Sequence, residues 1–239
     1  MRLDKILAHQ GFGSRKEVKK TIRSGLVLVN GEIVRDDDAH VDPDEDEIIV
    51  GDELIDYSEK SYWILNKPQD VVSATTDTRY PTVIDLLPTT AGRGLFPVGR
   101  LDVDTEGLLV ITNDGALAHT LLSPKHHVEK EYEVTLRDKW NEVFQKSIEE
   151  GILIQNPIYQ CAPAKVEVRS DHVLRLTITE GKYHQVKRMM EACDNEVVHL
   201  VRIRMGNLRL DPSLKLGEFR QMLPSELSLL SNTEQNPIL

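Results

Sequence analysis

Between Gly99 and Gly107 the chain places Arg100, Asp102, Asp104 and Glu106 in a short charged loop. An apolar run from Leu95 to Val98 leads into the loop and another from Leu108 to Thr112 leads out, so two strand-like segments bracket it. Glycine at each end admits backbone conformations closed to other residues. A carboxylate on such a loop can act as a nucleophile or a proton acceptor, because the flanking strands set its position. The same residues also read as a solvated β-turn. Elsewhere, Tyr132 opens a strand-like run just after Lys130. An aromatic there is either a core residue or a stacking face. Lys187 and Arg188 follow His184 in a helical pattern and read first as solvated helix charges. His126 and His127 are adjacent, which does not aim two ligands at one ion without further donors, and Cys161 and Cys193 lack the paired spacing of a zinc site, so no metal is expected.

Strands and helices must position these residues. From Tyr62 onward the pattern predicts strands at Tyr62–Leu65, Leu95–Val98, Leu108–Thr112, Tyr132–Leu136, Ala164–Val168, Val173–Thr179 and Val197–Arg204. Helices are predicted at Ala116–Leu122, Trp140–Glu149 and Tyr183–Ala192. Strands come in runs rather than alternating with helices, which predicts an α+β domain on a mixed, mainly antiparallel sheet. The first 57 residues differ. Leu3, Ile6 and Leu7 share a helical face, Ser14-Arg15-Lys16-Glu17 reads as a capping box opening a second helix, and Gly25 ends it. Val18 and Ile22 then face inward, leaving Arg15, Lys16, Lys19 and Lys20 for solvent or phosphate. Asn30-Gly31 between two apolar runs marks a hairpin, and Ile48–Val50 a further strand. Three units are therefore expected: a small domain over 1–57, a linker over 58–61 and a larger domain over 62–239.

The net charge of −10 argues against a polyanionic partner only if read globally. Residues 1–23 hold Arg2, Lys5, Arg15, Lys16, Lys19, Lys20 and Arg23 against Asp4 and Glu17, whereas residues 32–56 hold twelve acids against Arg35. A phosphate backbone responds to local potential within a Debye length of about 8–10 Å, so the basic segment can still bind RNA. Two cysteines in 239 residues make no disulfide framework and suit a reducing cytosol. No apolar run reaches the roughly twenty residues of a membrane span, and the N-terminus lacks a signal-peptide core.

The wording Gly-Arg-Leu-Asp-x-Asp-Thr-x-Gly-Leu-Leu from Gly99 resembles the catalytic-aspartate motif of pseudouridine synthases. Several other segments resemble the ribosomal small-subunit pseudouridine synthase A family, in the family's order: Met1–Lys5, Leu65-Asn66-Lys67-Pro68, Ser123-Pro124-Lys125-His126-His127, Glu129–Tyr132 and Glu180–Met189. The resemblance implies an S4-type RNA-binding module followed by a catalytic domain. It implies Asp102 as the catalytic carboxylate, Tyr132 as the ring that packs on the uracil, and Lys187 as the basic partner of the aspartate. Many members have arginine at the last position, and lysine cannot form its bidentate fork. RNA contact is expected at Arg100, Lys125, His126, Lys130 and Arg188, and in the N-terminal module at Arg2, Lys5, Arg15, Lys16, Lys19 and Lys20. Asp104 is expected to brace the turn.

The implied reaction isomerises a uridine of 16S rRNA, uridine 516 by the resemblance, in free RNA or in a small-subunit assembly intermediate. A cytoplasmic monomer with no cofactor and no membrane partner is expected. Tyr183-His184-Gln185-Val186-Lys187-Arg188 favours the small-subunit enzyme over relatives acting on 23S rRNA, which usually carry an Asn-Arg-Gln-Val-Arg-Arg variant there. The remaining alternative is a non-catalytic RNA-binding protein of ribosome assembly.

Overall fold

The computed structural model describes residues 1–43, 45–55, 57 and 59–230. Asp44, Asp56, the Ser58 end of the expected linker and residues 231–239 lie outside the described residues. Contacts divide the chain into two compact units, Met1–Ser61 with Leu87–Leu95, and Tyr62–Leu86 with Phe96–Leu239. The segment Leu87–Leu95 thus packs with the N-terminal unit although it follows the expected linker in sequence. Arg93 anchors it by donating to the Gly13 carbonyl.

The N-terminal unit contains α1 (Leu3–His9), α2 (Arg15–Ser24), β1 (Val27–Val29), β2 (Glu32–Ile33), β3 (Ile48–Val50) and β4 (Glu53–Leu54). The strands form an antiparallel sheet in the order β2-β1-β3-β4. The capping box is complete: Ser14 accepts from the Glu17 amide at 3.3 Å, and the Ser14 amide donates to the Glu17 carboxylate at 2.7 Å. Leu3, Ile6, Leu7, Val18, Ile22 and Val27 close the core with no exposed surface. Asn30 and Gly31, both at positive φ, turn the β1–β2 hairpin. Ser14→Ala is expected to lower the stability of this unit by about 1 kcal/mol, seen as an earlier denaturant midpoint, because the Glu17 amide loses its acceptor.

The basic face of this unit is partly neutralised from within, which corrects the expectation of free cations. Asp4 is fully buried and pairs with Arg2 at 2.9 Å and Arg15 at 3.4 Å. Lys19 pairs with Asp37 and Asp38, each at 3.1 Å, and Arg2 also reaches Asp38. The Arg2 hydrogen bond, joined by Arg15, holds the Asp4 carboxyl below the usual range against its burial. Lys5, Lys16 and Lys20 are exposed and form no ion pair among the described residues.

The second unit contains β5 (Tyr62–Lys67), β6 (Phe96–Pro97), β7 (Glu106–Thr112), α3 (Gly115–Leu122), β8 (Lys130–Leu136), α4 (Gln145–Glu150), β9 (Leu153–Ile154) and β10 (Tyr159–Gln160). It continues with β11 (Lys165–Ser170), β12 (Val173–Ile178), α5 (Gln185–Glu191), β13 (Val197–Met205), β14 (Leu208–Arg209), β15 (Phe219–Gln221) and α6 (Pro224–Leu227). Among the described residues, nine strands form one mixed sheet in the order β11-β12-β8-β13-β7-β5-β15, with β6 and β14 attached to β7 and β13. The β13–β7 pair is parallel and every other pair in it is antiparallel. Ile64, Leu108, Val110, Leu117, Leu121 and Met205 pack together in the main core, while Leu109 and Ile111 on the other face of β7 are also fully buried. A strand covered on both faces reads as a continuous apolar run, as Leu108 to Ile111 does. The Trp140–Glu149 helix is shorter than expected: Asn141 accepts from the Val143 amide and starts a 3-10 turn at Glu142–Phe144 ahead of α4.

Candidate active site

β7 begins at Glu106, so the charged loop ends at Thr105, two residues before Gly107. Gly107 is therefore not a hinge but a seam residue, at φ +104° opposite Arg202 of β13. A Cβ there would sit 2.3 Å from the Arg202 carbonyl oxygen, so only glycine lets the parallel strand approach.

The loop is held from beneath by Lys67, the last residue of β5, which is completely buried. Its ammonium donates to the carbonyls of Asp102 at 3.0 Å, Thr105 at 2.9 Å and Pro68 at 2.9 Å, with Val103 at 3.4 Å. Burial pushes its pKa down to about 8, against the pull of Asp104 and Asp102. Ser73 adds a second anchor, donating to the Leu101 carbonyl at 2.9 Å and accepting from the Leu101 amide at 3.0 Å. The Asp70 amide donates to the Val103 carbonyl at 2.9 Å, and the turn closes from the Thr105 amide to the Asp102 carbonyl at 3.1 Å.

On this scaffold the Asp102 side chain is half-buried, 27 % exposed, and faces α5. Lys187 places its ammonium 3.2 Å from one Asp102 oxygen and 2.6 Å from Asp104. His184, in left-handed conformation at the N-cap of α5, brings Nε2 to 3.6 Å from the other Asp102 oxygen. Burial alone would lower the Lys187 pKa, but the bond to Asp104 and the charge of Asp102 raise it. Burial would likewise raise the Asp104 pKa, and the Lys187 bond outweighs it and holds that carboxyl below the usual range. Asp104 thus pairs with the cation rather than bracing the turn, which Lys67 and Ser73 do instead.

α5 is itself fixed by the β9–β10 hairpin. Arg188 is buried and donates to the carbonyls of Gln155 at 2.8 Å and Tyr183 at 3.0 Å, and to that of Pro157. Glu180 accepts from the Tyr159 hydroxyl at 2.6 Å, the Ala162 amide at 3.0 Å and the Gln185 amide side chain at 2.6 Å. The expected RNA contact at Arg188 is corrected: its guanidinium is spent on backbone carbonyls inside the fold.

The family model described as RNA pseudouridylate synthase matches residues 61–192, and the S4 domain model matches residues 1–48. The chain belongs to the RNA pseudouridylate synthase family. It is 50 % identical to the uncharacterized RNA pseudouridine synthase YtzG of Bacillus subtilis, over 98 % of this chain and all of that one. It is 43 % identical to ribosomal small subunit pseudouridine synthase A of Haemophilus influenzae over 96 % of this chain and 99 % of that one, and 40 % identical to its Escherichia coli namesake over 95 % and 99 %. A solved pseudouridylate synthase shares 42 % identity and a TM-score of 0.69, covering 96 % of this chain and 99 % of its own.

In this synthase the structure brings Asp102 and Lys187 into contact, with Asp104 and His184 beside them. Tyr132 lies in β8 opposite Arg202, which in turn faces Gly107, so the ring shares a sheet row with the exit of the aspartate loop. It is 7 % exposed. Arg100 is exposed on the loop and has no ion-pair partner among the described residues. Lys125 and His126 are exposed on the 3-10 turn Pro124–His126 that follows α3, whose Leu122 side chain abuts Gly99. Lys130 departs from expectation. It is buried, donates to the Val128 carbonyl at 2.9 Å, and is pushed down to about 8 by burial and then by the nearby Arg202 charge, so it supports β8 from inside. Among the described residues no cluster of His, Cys, Asp or Glu is arranged to hold a metal, and no helix is long and apolar enough to cross a membrane.

Two residues beside Asp102 are not among the site residues expected from the sequence, where His184 reads as structural or RNA-facing. Lys67 carried a signal, a lysine closing an apolar run and followed by proline, but three of its four carbonyl partners come from a loop some 35 residues away. His184 lay within a recognised segment, yet only the left-handed N-cap turns its ring toward Asp102.

Proposed function

We infer that this enzyme isomerises a uridine of small-subunit ribosomal RNA to pseudouridine, with Asp102 as the catalytic carboxylate. The observation that carries this reading is the Asp102 carboxylate held 3.2 Å from Lys187 on a loop whose backbone is clamped by a buried ammonium. The similarity to relatives named for the ribosomal small subunit supplies the substrate class. Pseudouridine formation breaks the bond from ribose C1′ to uracil N1, turns the detached base and joins C1′ to C5. The C5 proton leaves and N1 gains one, so the reaction is redox-neutral and the reading needs no cofactor. A rigid carboxylate facing a flipped nucleotide meets the need for a positioned nucleophile or base. Tyr132 supplies an aromatic surface for the detached uracil. Residues 1–57 serve as the RNA-binding module, through Lys5, Lys16 and Lys20, and residues 62–239 as the catalytic domain. Acting on ribosomal RNA, the enzyme works in the cytoplasm, as a monomer.

The test is modification in vitro. 16S and 23S rRNA transcripts and small-subunit assembly intermediates are incubated with the protein, and pseudouridine is mapped by carbodiimide treatment and primer extension. Product at one 16S uridine, with uridine 516 the first position to inspect, is expected. Product in 23S rRNA alone would transfer the enzyme to the large-subunit relatives, and RNA binding without product on any substrate would leave a non-catalytic binding protein.

A further inference from the structure

Next to the Asp102–Lys187 pair stands an aromatic surface that the reaction does not use. Tyr183 is 70 % exposed, an unusual position for a large ring in a well-packed chain. Its ring stacks on that of His184, with centroids 3.8 Å apart and planes 18° from parallel. His184 in turn lies 3.6 Å from Asp102. The backbone that carries the ring is tied down. The Tyr183 carbonyl is tied to buried Arg188 at 3.0 Å, and Arg188 also holds the hairpin tip carrying Ile158, itself 72 % exposed. Lys182, one residue earlier, has its ammonium 4.6 Å from the Tyr159 ring centroid and adds positive charge to the same segment. A solvent-facing ring, stacked on a histidine that lies beside the Asp102 carboxylate and carried on a segment with a neighbouring cation, has the features of a base-stacking surface. Such surfaces bind the π-face of a nucleobase without reading its edges.

We propose that the Tyr183–His184 stack is a platform for an unpaired nucleobase adjacent to the target uridine, so that the RNA strand is held on both sides of the flipped nucleotide. The proposal rests on the reading of Asp102 as the catalytic carboxylate. Flipping a uridine unstacks its neighbours, and a ring that takes up one exposed base face offsets part of that cost. Ring area is what such a platform supplies, so the hydroxyl of Tyr183 is dispensable and the ring is not.

The experiment compares wild type, Tyr183→Ala and Tyr183→Phe on a 16S rRNA transcript, measuring both Kd and the KM and kcat of conversion. Alanine is expected to weaken Kd and raise KM roughly tenfold, with the loss in KM rather than kcat, and phenylalanine to restore both. A short RNA around the modified uridine, made abasic at one neighbouring nucleotide at a time, supplies the second arm. At one position the missing base should cost the wild type as much as alanine does and should cost the alanine variant nothing more. An unchanged Kd and KM for Tyr183→Ala, a loss confined to kcat, or abasic losses that add fully to the alanine loss at every position would each overturn the platform. Failure of the functional reading looks different: wild type yields no pseudouridine on any transcript, while the alanine–phenylalanine contrast in Kd still reports on the stack.

Discussion

Asp102→Asn is expected to bind RNA as the wild type does and to form pseudouridine at least about a thousandfold more slowly, the scale on which loss of a reacting carboxylate is felt. Asparagine keeps the side chain's size and one acceptor oxygen but has neither charge nor nucleophilicity. The fold should tolerate the change, because Lys187 retains Asp104 at 2.6 Å and the loop backbone is held by Lys67 and Ser73 rather than by the Asp102 side chain. Single-turnover conversion and filter-binding on the same RNA separate the two effects. Asp104→Asn is the internal control: Lys187 keeps Asp102 at 3.2 Å, so its rate should fall far less. Wild-type turnover by Asp102→Asn would move the catalytic role elsewhere, and equal losses for both variants would mean that the carboxylate pair acts only as a structural clamp.

Lys67→Met should also damage activity strongly, if less than Asp102→Asn, although Lys67 touches no substrate in this reading. Methionine fills the same buried volume but leaves the carbonyls of Asp102, Thr105 and Pro68 without their donor. Each orphaned acceptor costs about 1–3 kcal/mol, offset in part by removing a desolvated charge, so a modest net loss of stability is expected. A shift of the loop by about 1 Å would cost on the order of a hundredfold in rate. The readouts are kcat and a thermal melt, and a variant with wild-type kcat would show that the ammonium is not what places Asp102.

The same lysine makes a pH prediction of opposite sign for rate and stability. The native ammonium titrates near 8 because burial lowers it, whereas the unfolded chain keeps its proton to about 10.4. Between those values the unfolded state binds more protons, so this group's contribution to stability rises with pH. Over the same interval the native amine has fewer N–H donors for the loop carbonyls, and kcat of the wild type should decline.

The local elements were legible because their causes are local. Ser14 and Glu17 cap α2 through bonds three residues apart, Asn30-Gly31 meets the positive φ of a tight hairpin, and the Leu108–Thr112 run announces a strand buried on both faces. Order and wording of the motifs placed the aspartate loop and marked Lys187 as its partner before any fold was in view. What sequence pattern could not supply were interactions closed over long separations. Lys67 reads as a strand-end charge until Asp102 and Thr105 fold over it, and Lys130 and Arg188 read as free cations until β8 and the β9–β10 hairpin enclose them. Arg2, Arg15 and Lys19 counted as a basic patch by composition, yet Asp4, buried among them, and the Asp37–Asp38 pair each take up part of their charge. Gly107 reads as a hinge because it ends the charged loop and glycine admits conformations closed to other residues, and it becomes a seam residue only when β13 lies beside it in parallel. The sequence by itself determined which residue types stand at the aspartate loop, because a motif is a property of the chain. Only the tertiary structure decided which charges remain available for RNA, because desolvation and pairing depend on what packs against each side chain and not on its neighbours in sequence.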